Sequence, residues 1–474
     1  MPVDLSEPLS WKTATGDADT MLQNLQANIL KGHVREHLHI LLVQFGEGPA
    51  GAAEARAFLA GLVPLMKSAK EHLEEVEGFK RNGSSGVSNT PYVGVGLTKA
   101  GYDRLGLSDR APSDAAFERG MRDDGTRSKL NDPDVAQWEA GYREEIHAVV
   151  LVGDAEPGPA DARLKKVEEL LTGSLRVLGK EVGRGMRNAN GDGIEHFGYV
   201  DGRSQPLFLK EDLEDERRGT DGVSVWDPGE ELSRILVADP AAPDAATDFG
   251  SYFVLRKLEQ NVRAFRKAEE ELADALKLDN DDRERAGAML VGRFKDGTPL
   301  TLQATPGAHS PVMNDFTYAS DGAADKCPFQ AHIRKTNPRG SGGFEPPKAE
   351  RRHLMARRGQ TYGERTDGPG DELPEGGVGL LFMAFNADLV DQFEFTQLNW
   401  ANNAGFPDPG SEPAPGLDPV IGQGSRPPAT WPRVWGQEEG QEVPAPAQTV
   451  TMKGGEYFFM PSLAFLRSLQ PRTA

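Results

Sequence analysis

Two runs of apolar residues in the first half of the chain have the length and composition of buried β-strands. They cover residues 37–45 and 147–154 and are rich in valine, leucine and isoleucine. A helical pattern follows each run, first over residues 51–75 and then over residues 160–171. This order predicts an α+β domain with helices on one face of an antiparallel sheet.

The second half of the chain repeats this order of elements. GSYFVLRKLEQNVRAF begins as a strand and passes into a helix predicted over residues 258–278. GVGLLFMAF reads as a buried strand, residues 388–400 have a helical period, and GGEYFFMPS forms a last strand. The chain is therefore predicted to contain two similar α+β halves, divided near residues 205–225. Residues 405–448 are dense in proline and glycine and are expected to be an ordered surface excursion or a partly mobile one.

Composition and charge exclude several classes of function. The 474 residues carry a formal charge of −20, which disfavours binding to nucleic acid or to an anionic membrane. A single cysteine, Cys327, excludes an intramolecular disulfide and a thiolate zinc site. The N-terminus lacks the pattern of a signal peptide, and the longest apolar run, residues 378–385, is too short to span a bilayer. These features predict a cytoplasmic protein.

His332 has the most informative surroundings of the nine histidines. Pro328 before it and the Asn-Pro pair at residues 337–338 predict a short helix between them. Phe329, His332 and Ile333 would share one face of that helix, so the imidazole is expected to point into the interior. The pattern fits a core histidine bonded to a backbone carbonyl, and it also fits an axial ligand to haem iron.

A basic segment, ERRHLMARRGQTYGER, covers residues 350–365. If its centre is a strand, Arg357 and Arg358 face opposite sides, and only one of them can enter a pocket. A solvated basic patch is the simpler interpretation. The pattern alone does not choose between the two arginines.

The segment GIEHFGYVDGRSQP, residues 193–206, places Asp201 among glycines and aromatic residues. One interpretation is an aspartate in a tight turn, with Gly202 at positive φ. The other is a carboxylate presented at the end of a loop, where Phe197 and Tyr199 partly desolvate it. Desolvation would raise its pKa and suit it to general acid–base catalysis.

Taken together, these segments resemble the dye-decolourising peroxidases, a family of haem peroxidases. FGYVDGRSQP is similar to the family's G-x-x-D-G signature, CPFQAHIRKTNPR to its proximal-histidine segment, and ARRGQTYG to its distal-arginine segment. Four more segments are similar in the same order along the chain: GSYFVLRKLEQNV, MLVGRFKDGTPL, QFEFTQLNWANN and VTMKGGEYFFMPS. The likeness covers most of residues 20–466.

The resemblance implies an α+β fold of two ferredoxin-like halves, with antiparallel sheets flanked by helices, of the dimeric α+β barrel type. Residues 1–210 would carry the G-x-x-D-G motif, and residues 211–474 would carry the haem pocket together with the excursion at residues 405–448. One haem b per chain is implied. Because no C-x-x-C-H motif is present, we expect the haem not to be attached covalently.

The resemblance also implies roles for the candidate residues. His332 would be the axial ligand to the iron, and Asp201 would be the acid–base residue on the opposite face. Arg357 would lie over the haem, which leaves Arg358 a structural role. Arg334 would contact a haem propionate.

Further residues are implied around this centre. Leu380 and Phe382 would belong to the distal pocket. For the hydrogen-bond partner behind the axial histidine, the sequence offers only two nominal candidates, Asp391 and Glu394.

The implied activity is reduction of hydrogen peroxide with one-electron oxidation of dyes, phenols or other aromatic donors, in a chain that can form a homodimer. Because bulky dyes cannot enter a small haem pocket, Tyr362 and then Trp400 are the candidate surface radical sites. One alternative is a haem-binding or haem-handling protein without turnover, which needs the axial histidine alone. Another is a cofactor-free α+β enzyme that uses Asp201 with His196 and would be colourless.

Overall fold

The computed structural model describes residues 2–33, 35–82, 90–218, 224–279, 282–307, 312–365, 372–407 and 414–470. Its strands are β1 (His37–Gln44), β2 (Tyr92–Leu97), β3 (Ala148–Asp154), β4 (Arg176–Arg184), β5 (Met186–Arg187), β6 (Gly193–Ile194), β7 (Val237–Ala238), β8 (Phe249–Gln260), β9 (Ala356–Arg357), β10 (Gln360–Tyr362), β11 (Gly379–Asn386), β12 (Ala429–Pro432), β13 (Gly440–Val443) and β14 (Val450–Met460). Its α-helices are α1 (Asp17–Asn24), α2 (Gly48–Leu62), α3 (Ala69–Asn82), α4 (Lys99–Arg104), α5 (Ala115–Arg119), α6 (Asp124–Leu130), α7 (Ala140–Arg143), α8 (Pro157–Glu169), α9 (Lys210–Arg217), α10 (Val262–Ala275), α11 (Glu284–Val291), α12 (His332–Thr336), α13 (Pro347–Glu350) and α14 (Leu463–Ser468). Single 3-10 turns lie at Val63–Leu65, Ser108–Arg110, Val135–Gln137, Leu232–Arg234 and Arg351–His353, and π-helical turns lie at Val390–Glu394 and Thr396–Ala401.

The central feature is an antiparallel sheet that closes into a barrel. Around the ring the strands follow the order β8-β14-β2-β3-β1-β4-β10-β11, and β11 pairs again with β8. The short strands β7 and β9 are attached outside this ring, to β8 and β11. Closure removes the exposed edges that an open sheet would present.

The barrel consists of two halves with the same strand order. In the first half, β1 lies between β3 and β4, and β2 flanks β3. In the second half, β8 lies between β11 and β14, and β10 flanks β11. Helices connect the first strand to the second and the third to the fourth in each half, which is the ferredoxin-like arrangement. The predicted fold class is confirmed, whereas the division at residue 210 stays a prediction because one continuous sheet joins the halves.

Most of the predicted elements are present, with one shift at a strand-to-helix junction. The helix predicted over residues 258–278 begins only at Val262, because Leu258 to Gln260 continue β8 and pair with β11 and β14. The Asn261 side chain accepts a hydrogen bond from the Ala264 amide and so caps the helix start. The strands predicted at residues 37–45 and 147–154 are confirmed as β1 and β3, whose apolar runs are buried.

Two hydrophobic clusters form the core, and the candidate site lies where they meet. The larger cluster consists of side chains from the barrel strands and from the helices packed on them, and it includes Phe253, Phe385 and Phe458. The smaller one surrounds α10 and α11. Half-buried Leu258 packs against both clusters, Phe382 against the first, and Ile333 against the second. Apolar side chains are thus left partly uncovered at the boundary between the clusters.

The described part of the proline- and glycine-rich excursion is ordered. Strands β12 and β13 pair with each other within it, and the Trp431 side chain is almost fully buried. Residues 408–413 lie outside the described residues, as do residues 219–223 of the stretch in which the halves were predicted to divide. Within that stretch, Lys210–Arg217 form α9.

Candidate active site

His332 is the first residue of α12, and a buried carboxylate holds its imidazole. Nδ1 of His332 donates to Oδ2 of Asp418 at 2.8 Å. The Asp418 side chain is fully buried, and its Oδ1 accepts from the amides of Val420 and Ile421 at 2.7 and 2.9 Å. With the proton fixed on Nδ1, the neutral imidazole carries its lone pair on Nε2, the form that binds a metal.

The other ring nitrogen of His332, Nε2, bonds to no described residue, and the side chain keeps 27% of its accessible surface. Burial alone would lower the pKa of the imidazole, but the Asp418 carboxylate outweighs burial and raises it. An oriented imidazole whose Nε2 bonds to no described residue fits an axial ligand to haem iron.

The partner behind His332 differs from both nominal candidates. The main-chain carbonyl of Asp391 accepts from Nδ1 of His353. The buried Glu394 carboxylate pairs with Lys129 and accepts from the hydroxyl of Tyr457. The Asp391 carboxylate lies 3.5 Å from Nδ1 of His353, so neither nominal candidate is the partner of His332. Asp418 was missed because it follows His332 by 86 residues and lies in the excursion.

Asp201 stands at the end of a small hairpin. Its amide donates to the Gly193 carbonyl at 3.0 Å, and Ile194 bridges to Val200. Gly202, which follows it, has a φ of 76°, a value that suits glycine. The hairpin leaves the Asp201 side chain exposed.

The two aromatic residues of this hairpin anchor it and do not shield the carboxylate. Phe197 stacks on Phe265 of α10 with ring centroids 3.9 Å apart, and the Tyr199 hydroxyl donates to Glu269. The prediction that they desolvate Asp201 is therefore wrong, because both rings pack into the cluster around α10.

A second carboxylate holds the hairpin from within. Glu195 accepts from the amides of Phe197 and Tyr199 at 2.7 and 3.0 Å, and from Nε2 of Gln260 at 2.6 Å. Burial raises the pKa of Glu195 to about 7. Glu195 was not predicted from the sequence, because the only indication of a role was its position within the segment that contains Asp201.

Arg357 belongs to β9, which pairs with β11. Its side chain lies on the face of the sheet that also carries the predicted pocket residues of β11. Arg357 lies opposite Ala384, and residues two apart on a strand share a face, so it shares a face with Leu380 and Phe382. Both of those side chains are half-buried, whereas Leu381 between them is fully buried. The register therefore brings the guanidinium and the two apolar side chains to one face.

The Arg357 guanidinium is tied to the Asp201 hairpin. Its Nη2 donates to the Arg203 carbonyl at 2.9 Å. Burial lowers the pKa of Arg357, and the Asp201 carboxylate acts against that lowering. The same two charges act in opposite directions on the pKa of His332. The structure therefore brings Asp201, Arg357 and His332 into one electrostatic neighbourhood.

Arg358 points away from this face, as the strand period predicts. Its guanidinium donates to the carbonyls of Asn28, Ile29 and Arg357, and all three distances lie between 2.9 and 3.0 Å. Arg35 in turn donates to the Arg358 carbonyl at 2.5 Å. Arg358 therefore fastens β9 to the N-terminal segment.

Arg334 does not match its predicted role as a propionate contact. Its guanidinium is fully buried and donates to the side chain of Asp321 at 3.0 Å and to the Cys327 carbonyl at 2.6 Å. With its donors used in this way, Arg334 braces the turn before α12. Arg293 and Arg339 are buried cations that have no carboxylate partner among the described residues, although both donate to main-chain carbonyls and to the Asn314 side chain. Burial lowers their pKa values to about 10 and about 9.

The two predicted radical sites are buried and not on the surface. Tyr362 is 7% exposed, and no described residue bonds its hydroxyl. Trp400 is 2% exposed and stacks on Phe406 with ring centroids 5.3 Å apart. Phe406 in turn stacks on Phe344, which is 62% exposed. Neither candidate can meet a bulky donor directly, but Trp400 has an aromatic path to the surface.

Known proteins are similar to this chain over most of its length. A family model for the "DyP dimeric alpha+beta barrel domain" matches residues 24–186. The multifunctional dye peroxidase DyP2 of Amycolatopsis sp. (strain ATCC 39116 / 75iv2) is 60% identical over 475 residues, which cover 99% of this chain and 100% of that protein. The dye-decolorizing peroxidase msp1 of Mycetinis scorodonius is 31% identical over 80% of this chain and 76% of that protein.

Solved structures give the same result. The structure of DyP2 from Amycolatopsis sp. ATCC 39116 is 59% identical in sequence, has a TM-score of 0.94 and covers 98% of this chain and 100% of its own. The DyP-type peroxidase of Anabaena sp. is 38% identical, has a TM-score of 0.91 and covers 98% and 99% of the two chains. The chain therefore belongs to the family of dye-decolourising peroxidases and is an oxidoreductase of that type.

Proposed function

We propose that this chain binds one haem b through His332 and uses Asp201 and Arg357 to reduce hydrogen peroxide while it oxidises dyes, phenols or other aromatic donors. The observation that carries the proposal is the His332 imidazole, which Asp418 holds through Nδ1 and whose Nε2 bonds to no described residue. The charges of Asp201 and Arg357 both act on the pKa of this imidazole. The full-length similarity is to peroxidases. A haem-handling protein without turnover is therefore the weaker alternative.

The residues present fit a haem group. His332 would hold the iron, Leu380 and Phe382 would face the ring, and Arg293 and Arg339 would supply positive potential for its carboxylates. When bound, haem supplies a redox-active iron that accepts oxidising equivalents from peroxide and passes them to the donors.

The side chains around this centre handle protons and charge. Hydrogen peroxide has to lose a proton from one oxygen and gain one on the oxygen that leaves as water. The exposed Asp201 carboxylate can accept that proton and return it. Arg357, held by the Arg203 carbonyl, can donate to the oxygen on which negative charge develops. Asp418 keeps the Nδ1 proton of His332 in place, so Nε2 stays available.

Bulky donors need a route for electrons through the protein. Oxidised tyrosine releases its phenol proton, and no described residue is placed to accept one from Tyr362. Trp400 is the better relay, because its stacking on Phe406 and the stacking of Phe406 on Phe344 link it to the surface. Donors would then react at the exposed Phe344 edge.

Three variants test the catalytic assignment. Asp201→Asn and Arg357→Leu should keep the Soret band of the haem protein but slow its change on addition of peroxide, by about 10²- to 10⁴-fold for the aspartate. His332→Ala should lose the normal Soret band. Asp192→Asn, in the turn between β5 and β6 that precedes this hairpin, is the matched control and should react like the wild type. Wild-type rates in both Asp201→Asn and Arg357→Leu would reverse their roles.

Two further properties remain proposals. The family resemblance supports a homodimer, and the sequence pattern supports a cytoplasmic location. Among the described residues, no helix is long and apolar enough to cross a membrane. Sedimentation of the purified protein would measure the oligomeric state.

A further inference from the structure

A cavity of about 360 Å³ opens beside the segment that follows α12. Asn337, which lines it, follows His332 by five residues. Arg339 also lines it, and Nη2 of Arg339 donates to the Ser204 hydroxyl at 2.7 Å, three residues after Asp201. The cavity therefore adjoins both segments that carry the candidate catalytic residues. Its volume is that of a small-molecule site.

One wall of the cavity is aromatic and apolar. The indole of Trp226 is half-buried, and Val225 beside it is 62% exposed. The guanidinium groups of Arg339 and Arg351 lie over the indole, 4.6 and 5.0 Å from its ring centroid. Such cation–π contacts fix the orientation of the indole. The part of the indole that stays accessible beside these guanidinium groups can contact a second aromatic ring.

The lining of the cavity also includes a cation without a partner among the described residues. Lys348 is exposed, and no described residue bonds to its ammonium or pairs with it. Arg351 is already engaged, because it pairs with Glu230 and donates to the carbonyls of Asp227 and Gly229.

The two acidic side chains that line the cavity make local contacts. The Glu350 carboxylate accepts from the amides of Gly340 and Gly342, both at 2.7 Å. The Asp227 carboxylate accepts from the Gly229 amide at 3.0 Å. Lys348 is therefore the cation in this cavity that is open to a ligand, among the residues that the structure describes.

We propose that this cavity binds an aromatic electron donor with a carboxylate or sulfonate group, with its ring against Trp226 and its anionic group on Lys348. The proposal rests on the peroxidase function proposed above. Two donor molecules each release one electron and one proton, and hydrogen peroxide takes up both electrons and both protons to give two waters. The donors leave as radicals.

The net negative charge of the chain opposes the approach of anionic donors, so a local group of cations matters for their binding. At a formal charge of −20, the protein repels anionic donors at long range. Arg339 and Lys348 place positive charge at this cavity, next to the engaged carboxylates of Asp227 and Glu350. An anionic donor that is oxidised efficiently would therefore depend on these cations.

The test compares two donors that differ by one carboxylate, 4-hydroxy-3,5-dimethoxybenzoate and 2,6-dimethoxyphenol. In the haem enzyme, Lys348→Glu should raise KM for the benzoate about tenfold through charge reversal next to the ligand. KM for the neutral phenol should not change. Lys165→Glu is the matched control, because Lys165 is exposed on α8 and changes the net charge equally. It should leave both donors unaffected.

Calorimetric titration of the benzoate without peroxide measures binding separately from turnover. Wild-type binding that Lys348→Glu weakens about tenfold supports the site, even if neither donor is oxidised and the peroxidase function fails. Absence of wild-type binding overturns the proposal. Equal effects of Lys348→Glu and Lys165→Glu, or equal effects on both donors, also overturn it.

Discussion

The hydrogen bond from His332 to Asp418 gives the sharpest prediction, because Asp418→Asn replaces one oxygen of a fully buried carboxylate with an NH₂ group. Oδ1 of residue 418 has to remain an acceptor for the amides of Val420 and Ile421. The new side-chain amide then turns its NH₂ group toward Nδ1 of His332. Nδ1 becomes an acceptor, so the imidazole proton moves to Nε2, the atom that should bind iron.

The expected loss of haemin affinity follows from the hydrogen bond that the substitution removes. The wild-type contact is a charge-assisted hydrogen bond at 2.8 Å, a type that contributes roughly 1.5 to 3 kcal/mol. Loss of such a partner of a metal-binding histidine weakens metal affinity by about 10- to 100-fold. The two ranges agree, because a 10- to 100-fold change in affinity is about 1.4 to 2.7 kcal/mol. We therefore expect haemin to bind Asp418→Asn about 10- to 100-fold more weakly.

The assay is titration of the haem-free protein with haemin, followed in the Soret band. Asp239→Asn is the matched control, since Asp239 is also fully buried but bonds backbone amides of Ala241 and Ser462. That variant should bind haemin like the wild type. If Asp418→Asn binds haemin as tightly as the wild type and shows the same Soret band, the proposed role of Asp418 is refuted.

Two more predictions concern Glu195 and Trp400. Burial raises the pKa of Glu195 from 4.5 to about 7, so the native protein keeps a proton that the unfolded chain releases, and stability falls as pH rises between those values. In urea unfolding, Glu195→Gln should gain stability relative to the wild type by on the order of 3 kcal/mol from pH 4.5 to 7, and a constant difference would contradict the assignment. Trp400→Phe should keep the peroxide reaction and the oxidation of 2,6-dimethoxyphenol but lose severalfold in turnover of a bulky dye. Equal losses for both donors would rule out a relay at Trp400.

Local sequence patterns predicted the strands and the side-chain orientations that depend only on residues close together in the chain. The apolar runs of β1 and β3 mark buried strands because every position has to be covered. The opposite orientation of Arg357 and Arg358 follows from the two-residue period of a strand. The family motifs named His332 and Asp201 as residues of one site, and this assignment stays a prediction.

Contacts over long sequence separations could not be predicted in this way. Asp418 reaches His332 across 86 residues of chain, from a segment whose composition indicates only loops. Arg334 follows His332 by two residues, yet Asp321 takes its guanidinium because both are buried and a buried charge needs a partner. The aromatic residues beside Asp201 face α10 because that helix supplies Phe265 and Glu269. Each outcome depends on tertiary packing that no local pattern records.

The most direct measurement is a crystal structure of the protein purified with its haem. We expect Nε2 of His332 to bind the iron, with Asp418 behind it and with Asp201 and Arg357 on the opposite face of the ring. A different axial ligand, or Asp201 and Arg357 on the same side as His332, would contradict the proposed mechanism.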